Sequence, residues 1–160
     1  MGKVLSTFEM GYAGAVSRSI DNIIVALPNC DSSAIVFGAP VFLSSDKKGA
    51  VNASASSTAA VFLGFAVRSA SKTPDTYGSS LAEYAPGELT DVITRGSVIV
   101  ATDGSCGMGD QVYLNVSTMH LTPQASSGGN ANIALPGVRY RSPRDSSGMA
   151  EILLTTRNIQ

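Results

Sequence analysis

Gly- and Pro-containing breaks recur about every 8–12 residues along this chain, and the segments between them are short, apolar and rich in β-branched residues. Ile23-Ile24-Val25-Ala26-Leu27 ends at Pro28-Asn29, Ala34 to Phe37 ends at Gly38, and Val41-Phe42-Leu43 runs into Asp46-Lys47-Lys48-Gly49, a strong turn signal. Val61 to Val67 reads as a buried strand kinked at Gly64. Asp91 to Arg95 and Ser97 to Ala101 read as two strands separated by Gly96, and Asp103-Gly104 as a tight turn. Gln111 to Val116, Val138 to Arg141 and Met149 to Thr155 complete the set. Such a rhythm leaves room for strands and little room for helices. It predicts an all-β fold, a barrel or sandwich of short antiparallel strands.

Two passages recur. Gly38-Ala39-Pro40-Val41-Phe42-Leu43 returns as Gly109-Asp110-Gln111-Val112-Tyr113-Leu114, and Gly64-Phe65-Ala66-Val67-Arg68-Ser69 returns as Gly137-Val138-Arg139-Tyr140-Arg141-Ser142. The offsets, 109 − 38 = 71 and 137 − 64 = 73, keep two halves in register apart from a small insertion, the pattern of an internally duplicated β-domain. One short helix is expected where Ser80-Leu81-Ala82-Glu83 has capping-box spacing and Pro86-Gly87 provides a stop.

Residues 1–20 form an expected extended N-terminal arm, with 21–160 as a single β-barrel domain. The arm carries Phe8, Met10, Tyr12 and Val16 among small residues, with neither helical nor strand periodicity. Its apolar side chains need a surface to lie on, either their own domain or a neighbouring subunit, because exposing them costs about 25 cal/mol per Å².

The chemistry of an enzyme is sparse. His120 is the only histidine, and Cys30 and Cys106 are the only cysteines, too far apart in sequence for the paired spacing of zinc sites. Thr102 to Asp110 is Gly-rich but lacks the Lys-Ser/Thr of a phosphate loop and the spaced carboxylates of a calcium loop. No catalytic residue, metal or cofactor is therefore expected. A net charge of −1 removes the field that nucleic acid or an anionic membrane would require. No apolar run approaches the roughly 18–20 residues of a spanning helix. The one basic cluster is Arg139-Tyr140-Arg141, where strand alternation puts two forked donors on one face, suited to carboxylates across an interface.

In order along the chain, Gly11-Tyr12-Ala13-Gly14, Ile35 to Val41, Phe62 to Arg68, Asp91 to Val98, Gly109 to Tyr113 and Ala150 to Leu154 resemble the head cement or decoration proteins of tailed bacteriophages. The resemblance implies a non-enzymatic virion protein, made in the bacterial cytoplasm, that settles on the exterior of the expanded icosahedral head. There it would bridge neighbouring major capsid protein subunits, as a homo-oligomer (dimer or trimer). The residues expected to meet the partner are Phe8, Met10 and Tyr12 on the arm, Arg18 at its base, and Arg139 and Arg141 on the basic strip. The competing reading is a small oligomeric all-β enzyme such as a nucleotide hydrolase.

Overall fold

In the computed structural model the described residues are 9–69 and 83–155. In chain order the strands are β1 (Val16–Pro28), β2 (Ile35–Val36), β3 (Pro40–Leu43), β4 (Ala50–Asn52), β5 (Phe62–Ala66), β6 (Glu83–Tyr84) and β7 (Leu89–Ala101). They continue with β8 (Gln111–Leu114), β9 (Leu121–Thr122), β10 (Ser126–Ser127), β11 (Asn130–Ala131), β12 (Ile133–Tyr140) and β13 (Met149–Leu154). The main sheet runs β4-β3-β5-β7-β13-β12-β8-β9, with β1 also paired to β7. All of these ladders are antiparallel.

The same ladder is built twice. In β3–β4, Phe42 faces Val51 and Leu43 faces Ala50; in β8–β9, Tyr113 faces Thr122 and Leu114 faces Leu121, an offset of 71 (113 − 42 = 71). β1 and β7, each 13 residues long, also correspond. Leu27 pairs with Thr90 and Ala26 with Asp91 where, one unit later, Val100 pairs with Ala150 and Ile99 with Glu151. Each unit closes on itself through a parallel bridge, Asn29 to Ala50 in the first and Thr102 to Leu121 in the second. The result is two small barrels that share β7, whose first half closes one unit and whose second half opens the next.

Hydrogen bonds fix the correspondence residue by residue. Gly38 N–H donates to Ala66 O as Gly109 N–H donates to Tyr140 O, and Val67 N–H donates to Asp91 O as Arg141 N–H donates to Glu151 O. Ala66 therefore matches Tyr140, and Val67 matches Arg141. The second recurring passage is thus displaced by one residue from the match read in the sequence. The reason is a ladder irregularity, between Val41 and Phe42 in β3–β5 and between Ala134 and Arg139 in β12–β8, that sequence identity alone does not register.

Each barrel has its own apolar interior. The first holds Ile35, Val41, Leu63, Ala66, Tyr84 and Val92, and the second Val112, Leu114, Leu135, Val138, Tyr140 and Ile152. Adjacent strand residues point to opposite faces, so Phe42, next to Val41, leaves the first interior and joins the second cluster with Phe62 and Phe65. These three rings stack edge to face at 5.6 and 5.5 Å and weld the barrels, each fully buried ring contributing about 1.5–3 kcal/mol. Gly64 sits at the β3–β5 ladder irregularity, where Val41 faces Gly64 and Phe42 faces Phe62, and it also permits close approach, since a Cβ there would lie 2.0 Å from Ile93 O. Gly96 does not divide β7 but sits within it at φ +120.

The expected helix finds no support. Ser80 to Ala82 lie outside the described residues, and Glu83, its capping acid, is in strand β6, which pairs with β2. Tyr84 is buried and its hydroxyl donates to Val67 O at 2.7 Å, so core packing overrides a local capping pattern. Burial, with the nearby Asp91 charge, pushes the Tyr84 phenol up to about 12. The helical turn among the described residues is Ala59–Val61, a 3-10 turn that leads directly into β5.

Candidate partner-binding surface

The described part of the arm, from Glu9 on, lies on the chain's own body. Met10 N–H donates to Asp145 Oδ2 at 2.7 Å. Gly14 N–H donates to Ile99 O at 2.8 Å, Ile99 N–H donates to Ala15 O, and Arg68 N–H donates to Gly14 O, so the segment is stitched between the end of β5 and the second half of β7. Backbones this close need glycine on both sides. Gly14 and Gly38 each have φ +79, and a Cβ on either would come within 2.9 Å of the other's amide nitrogen. Tyr12 stays 67% exposed, and the Arg68 guanidinium spans its ring at 5.1 Å and that of Phe37 at 5.5 Å. Phe8 lies outside the described residues. The arm boundary expected at residue 20 falls inside β1.

Beyond the arm, β1 brings Arg18 onto β13. Its Nε donates to Glu151 Oε1 at 3.0 Å, and Ser17 Oγ donates to the same oxygen at 2.8 Å. Alternation places Glu151 on the outer face of β13, yet it is only 6% exposed because the base of the arm covers it. Arg139 and Arg141 do not act as one cluster. Arg139 turns to Gly109 O at 3.3 Å, whereas Arg141 reaches Ser97 Oγ at 3.4 Å. Tyr140, between them, points inward to Thr102 Oγ1.

Arg141 instead meets Arg18 and Arg95 along a groove of about 380 Å³ with Leu153 and Leu154 in its lining. Arg95 is held by Asp21, with Nε and Nη2 both 2.8 Å from Oδ2. Arg95 was not legible as a site residue because the neighbouring Gly96 reads as a strand end. A continuous β7 would have put Arg95 and Ser97 on one face, and that alternation was the available signal.

A second cleft, about 340 Å³, runs between the barrels, with Val36, Phe37 and Pro40 on one side and Thr102, His120 and Arg144 on the other. His120 Nδ1 is 2.8 Å from Asp103 Oδ2 at its exposed rim. A hydrolytic triad would need a hydroxyl on the other imidazole nitrogen. Ser147, which lines the same cleft, donates its hydroxyl to Asp145 Oδ1 at 2.7 Å instead. Among the described residues, no group of three or more His, Cys, Asp or Glu side chains could hold a metal ion. Cys30 and Cys106 are both free; burial pushes the Cys106 thiol up, and its Sγ contacts Ser142 O at 3.7 Å.

The chain is thus two β-barrels fused on a strand, with a tethered arm and a charged groove. Among solved structures the chain is similar to a chain of "The capsid of Myoviridae Phage XM1", with 17% identity and a TM-score of 0.72 over 97% of this chain and 96% of that one. No curated protein matches it significantly. Residues 3–155 match the phage cement family, described as structural cement protein (E217 gp24/Pam3 gp6), and the chain belongs to that family.

Proposed function

We propose that this protein binds the outer surface of the expanded phage head and bridges neighbouring major capsid protein subunits, working as a homo-oligomer. The observation that carries the reading is membership of the structural cement family across residues 3–155. Pressure from packaged DNA pulls capsid subunits apart. A clamp that fits only their expanded spacing stabilises that state by its differential affinity, in proportion to RT ln(1 + [L]/Kd). No catalysis, cofactor or nucleic acid enters this role, and the protein is assigned to the virion exterior after synthesis in the host cytoplasm.

Residues 1–20 serve as the arm and 21–160 as the body. Phe8, Met10, Tyr12, Arg18, Arg139 and Arg141 are the proposed partner contacts. Tyr12 is the arm side chain best placed for this, because the arm backbone is docked while the ring is exposed and held over Arg68. A rigid aromatic beside a cation makes a low-entropy anchor.

Purified protein added to expanded heads that lack it should cosediment saturably and raise the temperature at which they release DNA. Heads that neither bind saturating protein nor gain heat resistance would refute the role.

A further inference from the structure

We infer that the groove between β1, the middle of β7 and the end of β13 receives an extended acidic segment of the capsid partner, with Arg141 as its anchor; the inference rests on the cement reading above. Three guanidinium groups line this groove, and two are already neutralised, Arg18 by Glu151 and Arg95 by Asp21. Arg141 is half-buried, and its contact among the described residues is a neutral hydroxyl, Ser97 Oγ at 3.4 Å. A partly desolvated guanidinium facing a weak neutral acceptor is an incomplete pair.

The internal repeat shows that the fold does not ask for an arginine here. The matching residue of the first barrel is Val67, 6% exposed, and its backbone makes the same hydrogen bond to β7 that Arg141 makes to β13. One position just past a strand end, built twice, is filled once by an apolar side chain packed in the cluster of Phe42, Phe62 and Phe65 and once by a cation that reaches into an open groove.

The groove is not lined by charge alone. Leu153 is half-buried in its lining, on the face of β13 opposite the core residues Ile152 and Leu154. A free anion could complete Arg141 but would leave this apolar surface uncovered. An extended segment of the partner serves both, with an Asp or Glu carboxylate for Arg141 and apolar atoms to lie on Leu153.

The test compares wild type, Arg141→Val and Lys48→Ala for binding to expanded heads of the same phage stripped of this protein. Arg141→Val installs the side chain of the matching position, and its thermal melt shows whether it folds; Arg141→Gln replaces it if it does not. At low salt the Arg141 variant should bind about tenfold or more weakly, the loss expected for a charge-assisted hydrogen bond, while Lys48→Ala, which removes an exposed cation outside the groove and outside the proposed contacts, stays within about twofold. The gap should narrow towards 1 M salt, where the screening length falls to about 3 Å. Equal binding by Arg141→Val, or a gap indifferent to salt, overturns the inference and leaves the cement role intact. A changed sedimentation coefficient of the free variant would make a second copy of this chain the occupant and also overturn it. Failure of the wild type to bind heads overturns the cement reading and this inference with it.

Discussion

Replacing Gly38 by alanine should undock the arm, and replacing Gly87 by alanine isolates the reason. Both glycines adopt left-handed backbone, φ +79 and +81, so both substitutions carry the same strain of roughly 1–2 kcal/mol and the same entropic offset in the unfolded chain. Only Gly38 is packed. A Cβ at 38 meets Ala13 Cβ and Gly14 N at 2.9 Å, well inside the ~3.5–4.0 Å optimum for carbon contacts, whereas a Cβ at 87 meets nothing within 4 Å. Relief comes most easily by lifting residues 13–15, which breaks the Gly14–Ile99, Ile99–Ala15 and Arg68–Gly14 hydrogen bonds. At about 0.5–1.5 kcal/mol net each, the packed variant should lose about 2–4 kcal/mol more than the open one. For a chain of this size that is a gap in melting temperature of about 4–16 °C. Calorimetry gives the gap, and amide exchange should show faster exchange at Ile99 and Arg68 in Gly38→Ala alone. Equal melting temperatures with unchanged protection at Ile99 would refute the argument that the arm is held by glycine-to-glycine contact.

Arm docking should also depend on acid. Burial works to raise the Asp145 carboxyl, but N–H donors from Met10 and Met149 and the donors of Ser147 outweigh it and hold it below the ordinary carboxylate value. A lowered folded pKa gives stability that is present above the unfolded value, about 3.9, and is lost as pH falls through the folded one. Protection of the Met10 amide should therefore be flat from neutral pH to about pH 5 and fall below about pH 4, and Asp145→Asn should abolish that dependence. Tyr140→Phe should cost about 0.5–1.5 kcal/mol in denaturant melts, since Thr102 loses its hydroxyl partner but keeps its bond to Leu121 O. A thiol reagent should label exposed Cys30 in the native protein and buried Cys106 only after unfolding, by mass spectrometry.

Much of the fold was written in local pattern. Val41 to Leu43, Gln111 to Leu114 and Met149 to Leu154 show their strand character in apolar runs or alternation bounded by Gly and polar turns, and these are contacts a residue makes with its own neighbours. The duplication was legible for the same reason, as Gly38 and Gly109 are each a left-handed glycine two residues before a strand, β3 or β8. The capping pattern at Ser80 to Glu83 misled because a buried ring at Tyr84 outweighs what a capping carboxylate offers an exposed helix end.

The amino-acid order by itself determined the longer apolar strands, the tandem repeat, the scarcity of catalytic groups and the family resemblance, because each rests on identity and short-range spacing, whereas the short strands β4, β6, β9, β10 and β11 carry no such pattern. Only the tertiary structure decided that β7 serves both barrels, that the arm folds back against Gly38, and that Arg141 parts from Arg139 to join Arg18 and Arg95. Those outcomes depend on register between strands far apart in sequence. The ladder irregularities, between Val41 and Phe42 in the first barrel and between Ala134 and Arg139 in the second, shift the match between the barrels by one residue and so decide which side chain occupies the position that faces the groove.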